Sequence, residues 1–238
     1  MPEQHGPAAF ADILNSPERP LIVGGQAVNV WAEYFAPRNP QVAALRPFVS
    51  KDADIYADRA TAEKIAAATG WQIRFFHEPR TIAVAVLTQE TPAAGTLTVE
   101  VLRSVRGLTA RELADADVVE LRPGQSCRIP SPIRLLKAKL ANLAEIKPPR
   151  PQDAHHVRLL CLLTAEYLKE QHAQVAGKRL AERILINALN ELHRLNTTPS
   201  ARRLEKQFGL PLGLALPLDL SAASLPKLAA FYRHLTPP

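Results

Sequence analysis

Four features of this chain carry chemistry by residue type and spacing. They are Gly24-Gly25, Asp52-Ala53-Asp54, Glu100 between Val99 and Val101, and a cationic segment at 134–139. Along a strand, residues i and i+2 share a face, so Asp52 and Asp54 would project side by side while Ala53 and Ile55 enter the core. Adjacent carboxylates repel. A divalent cation with oxygen ligands removes that conflict, and Mg²⁺ characteristically binds one or two carboxylates together with substrate phosphates. Glu100 points away from its flanking valines. If its strand lies beside that of Asp52, three carboxylates converge, a set able to hold two metal ions for in-line phosphoryl displacement. At Gly24-Gly25 the missing side chains let backbone N–H groups approach a phosphate at a helix N-terminus. The segment GGQAVN is neither a P-loop nor a dinucleotide fingerprint, because it lacks the GKS/T ending and the GxGxxG spacing.

These residues need strands and helices to hold them. Pro20 to Val23 reads as a short strand ended by Gly24-Gly25, and Ala27 to Pro37 as a helix. Phe48–Ala57 reads as a strand, and Arg59–Thr69 as an alanine-rich helix closed by Gly70. Trp71–His77 and Thr81–Leu87 read as strands joined through Glu78-Pro79-Arg80. Thr96–Val101 and Val118–Leu121 read as two more. From Pro130 the spacing becomes helical. Helices are expected around Ile133–Leu143, from Pro151 to about Gln171, from Ala176 to Leu195, over SARRLEKQF up to Gly209, and over Ser221–His234. The predicted class is α+β: a mixed α/β domain over residues 1–125, then a helical, basic domain over 126–238.

Charge divides the same way. Residues 1–120 hold 11 Lys and Arg against 15 Asp and Glu, and residues 121–238 hold 18 against 8, within a net charge of +6. A basic half suits a phosphate-bearing partner. Cys127 and Cys161 are far apart and lack metal-ligand spacing, which excludes a disulfide scaffold or zinc ribbon and predicts two small buried side chains. Trp31 and Trp71 are expected in the core, His155-His156 in a surface or capping role, and Arg202-Arg203 on a solvated helix face. No apolar run approaches a bilayer span, and the opening MPEQHGPAAFADIL lacks a basic segment followed by an apolar run. The expectation is a cytoplasmic protein with no membrane association.

In order and spacing, these motifs resemble the nucleotidyltransferases of the DNA polymerase beta superfamily. VGGQAVNVWAEYF followed by FVSKDADIYA is similar to the abortive-infection toxin-type (AbiEii-like) and minimal nucleotidyltransferases, over roughly residues 20–160. The resemblance implies the nucleotidyltransferase fold with a mixed sheet. It implies that Gly24 and Gly25 hold a nucleoside triphosphate, that Ser50 contacts phosphate, and that Asp52, Asp54 and Glu100 bind two Mg²⁺ ions or Mn²⁺. It extends to LLKAKLANL, where Lys137 and Lys139 are nucleotide-binding candidates and Lys139 is the better match, and to Arg150-Pro-Gln-Asp153, where Asp153 supports the site. The chain departs from the pattern at Gln152, where Lys is common, at His156, where an acidic residue is often found, and at Glu100, where Asp is usual.

The implied activity is transfer of a nucleoside monophosphate to an acceptor hydroxyl with release of pyrophosphate. The acceptor would be an RNA 3′ end (a tRNA among the candidates), a protein or a small molecule, and a toxin of this type would have a cognate antitoxin. The alternative is a catalytically silent module of the same fold that binds RNA or protein.

Overall fold

The computed structural model describes residues 4–78, 81–92, 95–122, 125–222 and 225–235. The chain forms two compact units, Met1–Ala141 and Asn142–Pro238. In the first, a 3-10 turn at Pro7–Phe10 leads into α1 (Ala11–Leu14) and β1 (Leu21–Val23), and α2 (Gly24–Phe35) follows with no intervening loop. Then come α3 (Pro40–Ala43), β2 (Ala53–Tyr56), α4 (Arg59–Thr69), β3 (Gln72–Phe75), β4 (Ala83–Thr91) and β5 (Gly95–Leu102). The unit closes with α5 (Ala110–Ala114), β6 (Asp117–Arg122), β7 (Gln125–Ile129) and α6 (Pro132–Glu145), whose last residues belong to the second unit.

Among the described residues, seven strands form one mixed sheet in the order β3-β4-β5-β2-β1-β7-β6. β2 runs parallel to β5 and antiparallel to β1. One sheet face is apolar: Ala53, Ile55, Ala85, Leu87, Leu97, Val99 and Val101 are buried. α4 lies against β3 and β4, with the Arg59 guanidinium 3.9 Å from the Phe75 ring centroid. Local chemistry sets the bounds of α4. Asp58 accepts a hydrogen bond from the Thr61 N–H at 2.8 Å, the Thr61 hydroxyl and then this N–H lower its pKa, and Gly70 closes the helix at φ 75°. Trp31 and Trp71 are buried, as expected of them, and the Trp31 indole N–H donates to the Pro130 carbonyl at 2.9 Å.

Several bounds differ from expectation. The second strand begins at Ala53 rather than Phe48, because Ser50 forms a single bridge with His5 and its hydroxyl donates to the Asp52 carbonyl. β4 runs four residues beyond Leu87, held by β5 through pairs out to Thr91↔Gly95. Pro79 and Arg80, in the expected connection between β3 and β4, lie outside the described residues. α3, α5 and β7 are additional elements.

The second unit is helical: α7 (Pro151–Ala176), α8 (Glu182–Thr197), α9 (Pro199–Phe208), a 3-10 turn at Leu212–Ala215 and α10 (Pro226–Leu235). α7 outruns its expected end by five residues, and Gly177 with Lys178 at φ 57° forms the turn that delays α8 to Glu182. Thr198 caps α9 by accepting from the Ala201 N–H, and Gly209 ends it in the left-handed region. The Glu182 carboxylate accepts from the N–H groups of Lys227 and Leu228, which fixes the start of α10. Ala223 and Ser224, in the expected last helix, lie outside the described residues. No helix among the described residues is long and apolar enough to cross a membrane.

Candidate active site

The acidic residues gather in the middle of the sheet. Val23, Asp54 and Glu100 are register partners on three neighbouring strands, β1, β2 and β5. Paired residues share a face, so the Asp54 and Glu100 side chains emerge together from adjacent parallel strands. Burial alternates along β2: Ala53 and Ile55 are buried, whereas Asp52, Asp54 and Tyr56 are half-buried on the other face. Asp52 stands just before the strand and continues that alternation.

Gly24 explains how the helix meets this face. It follows β1 directly, starts α2 and has φ 66°. A Cβ built on it would lie 1.8 Å from Oδ2 of Asp54. The carboxylate therefore occupies the space that a side chain at residue 24 would need, hard against the first turn of a helix that no side chain caps. An uncapped first turn presents backbone N–H groups and the positive end of the helix dipole.

Ser50 lies at the same end of the sheet. The side-chain amide of Asn29, on α2, donates to Oε1 of Gln26 at 3.2 Å and approaches the Ser50 hydroxyl at 3.5 Å, while Nε2 of Gln26 donates to the His5 backbone carbonyl at 2.8 Å. All four side chains are buried. Gln26, Asn29 and His5 were not singled out in the sequence. The available signal was two amides, three residues apart, on the apolar helix that follows Gly24-Gly25. They tie the α2 N-terminus to the segment entering β2, which fixes Gly24 against Asp54.

The cations are distributed differently. Lys137 pairs with Glu112 and Arg134 with Asp115, so these two of the three α6 cations are joined to α5 and its C-terminal flank. Thr109 and Glu112 form a reciprocal capping box at the start of α5. Burial of the Glu112 carboxyl opposes its charged form, but the Lys137 ammonium and the Thr109 N–H and hydroxyl outweigh this and hold its pKa below the usual glutamate range. Lys139 is only 8% exposed on α6. Asp153 belongs to the second unit, buried in the first turn of α7. The two histidines expected at a surface or cap divide: His155 is exposed, and His156 is buried because it falls on the inward face of α7 with Asp153, Val157 and Leu160. Cys127 and Cys161 are buried as expected, and burial pushes their thiols up to about 11 and about 12, which disfavours the thiolate.

A cavity of about 460 Å³ opens elsewhere in the first unit, lined in part by Leu14, Glu33, Arg46 and Cys127. Among the described residues, no group of three or more His, Cys, Asp or Glu side chains is assembled as a metal cage. The donor set at Asp54 and Glu100 instead suits a hard cation that shares its coordination with phosphate oxygens. The close approach of the Asp54 carboxylate to the uncapped first turn of α2, which only a glycine at residue 24 permits, is consistent with that. No protein-family model matches the chain, and no curated protein matches it. The fold and site define an α+β protein with a mixed sheet that sets two register-paired carboxylates, Asp54 and Glu100, near the N-terminus of a helix.

Proposed function

We propose that the chain is a Mg²⁺-dependent nucleotidyltransferase of the DNA polymerase beta type, which moves a nucleoside monophosphate from a triphosphate to an acceptor hydroxyl. The observation that carries this is the register Val23–Asp54–Glu100, with Gly24 starting α2 against the Asp54 carboxylate. Asp52, Asp54 and Glu100 would hold Mg²⁺ together with triphosphate oxygens. When bound, Mg²⁺ supplies charge neutralisation on the phosphates and lowers the pKa of the attacking hydroxyl. The N–H groups of the first turn of α2, free of side-chain caps, would orient the triphosphate. Gln26 and Asn29 hold that turn and Ser50 in one geometry. Glu100 would accept the proton of the acceptor hydroxyl. The basic charge of residues 121–238 favours an RNA 3′ end as acceptor over a protein or a small molecule.

The test is incubation of the full chain with each labelled triphosphate, total RNA and total protein. Label should enter one acceptor class in a Mg²⁺-dependent manner. Asp54→Asn should reduce transfer by at least roughly 10²-fold at an unchanged unfolding midpoint. Transfer retained in that variant would overturn the mechanism. Absence of nucleotide binding by calorimetry would favour a catalytically silent module.

A further inference from the structure

The sheet face that carries the carboxylates continues across two more strands. Glu100 on β5 is in register with Val86 on β4, and Val86 with Arg74 on β3. The next row holds Thr98, Thr88 and Gln72, again register partners. These rows lie on the face opposite α4, which is next to Phe75 through Arg59. Arg74 and Gln72 are exposed, and Thr88 and Thr98 half-buried. Beyond β3 the pairing extends by one hydrogen bond, Phe76 N–H to the Val84 carbonyl at 2.9 Å. Phe76 therefore alternates onto the face of Arg74, whose guanidinium lies 5.7 Å from its ring centroid. That ring is half-buried.

We propose that this face is the bed for the acceptor strand, with Arg74 and Phe76 binding a nucleotide of single-stranded RNA whose 3′ end reaches Asp54 and Glu100. The proposal rests on the transferase reading and adds the residues that position the acceptor. Three strand spacings separate Asp54 from Arg74, about 14 Å, room for several nucleotides of a strand whose charges repeat every few ångström. The polarity along the face suits a polyanion. It is cationic at Arg74, apolar at the buried Val86, uncharged and hydrogen-bonding at Gln72, Thr88 and Thr98, and acidic at Asp54 and Glu100, where the terminal hydroxyl reacts; Glu90, one row beyond Thr88, is engaged by the Thr96 hydroxyl. An aromatic ring beside a guanidinium offers a base both a stacking surface and a cation, and such stacking tolerates any sequence.

The experiment uses the full chain and a fluorescein-labelled single-stranded RNA oligonucleotide of mixed sequence. Anisotropy gives the Kd, and transfer assays give KM for RNA and for the triphosphate separately. Arg74→Glu and Phe76→Ala should each weaken RNA binding and raise the KM for RNA by about tenfold, with the KM for the triphosphate unchanged. Lys64→Glu, an equal charge change on exposed α4, should leave both unchanged. RNA binding in Arg74→Glu equal to wild type, or equal weakening by Lys64→Glu, overturns the proposal. Label entering only protein also overturns it. A wild-type chain that transfers nothing to any acceptor fails the transferase reading instead, and the RNA Kd values report on the surface separately.

Discussion

Gly24 is where backbone conformation and candidate chemistry meet. Alanine at this position would have to adopt a φ near 66°, and its Cβ would fall 1.8 Å from Oδ2 of Asp54. The backbone strain alone costs about 1–2 kcal/mol, and the clash forces the carboxylate aside. Gly24→Ala should therefore lower the urea midpoint and also abolish nucleotide transfer. Gly70→Ala supplies the comparison: φ is 75° there, but a Cβ meets nothing within 4 Å. That variant should lose about 1 kcal/mol of stability and keep full transfer. If Gly24→Ala kept its activity while losing stability, the contact with Asp54 would be structural only. Residue types and spacing made the pair Asp54 and Glu100 legible, because alternation assigns faces without knowledge of the fold. His5 was not legible: it is bridged to Ser50 from a segment distant in sequence, and no local pattern encodes that pairing.

The α5–α6 connection gives an element-scale prediction. Glu112 caps α5 and pairs with Lys137 of α6, and its pKa is depressed by those partners. A depressed folded-state pKa contributes stability that is present above the unfolded-state value and is lost as pH falls through the folded-state value. The stability difference between wild type and Glu112→Gln should thus be largest near neutral pH and shrink on acidification below the usual glutamate range, as read by urea unfolding across pH. A difference independent of pH would mean that the capping hydrogen bond, which glutamine can imitate, matters and the charge does not. Thr109→Ala removes the other half of the box and should cost about 1 kcal/mol. Where elements carried their own end signals, the sequence was readable: α4 between Asp58 and Gly70, and α9 between Thr198 and Gly209, run as the residues indicate. Where pairing sets the end, it was not. β7 has no alternation to mark it and exists because β6 and β1 bond to it from either side.

At the scale of the whole molecule, charge separates the units more than composition does. Asn142–Pro238 carries 13 Lys and Arg against 8 Asp and Glu, while Met1–Ala141 is nearly balanced at 16 against 15. On α9, Arg202, Arg203 and Lys206 are exposed, the solvated face expected of them. A chain with a basic second unit and a cation at the far edge of the sheet should bind single-stranded RNA mainly through phosphates. Each contact releases counterions, so log affinity should fall linearly with log salt, with a slope of about −0.7 per phosphate contacted. For the full chain the slope should be at least about −2, and Arg74→Gln should make it shallower by about one contact. Phe76→Ala should weaken binding with no change in slope, because stacking displaces no counterions. A flat salt dependence in the wild-type chain would exclude an RNA acceptor. The carboxylate face would then serve an uncharged hydroxyl on a protein or small molecule, reached without help from the basic unit.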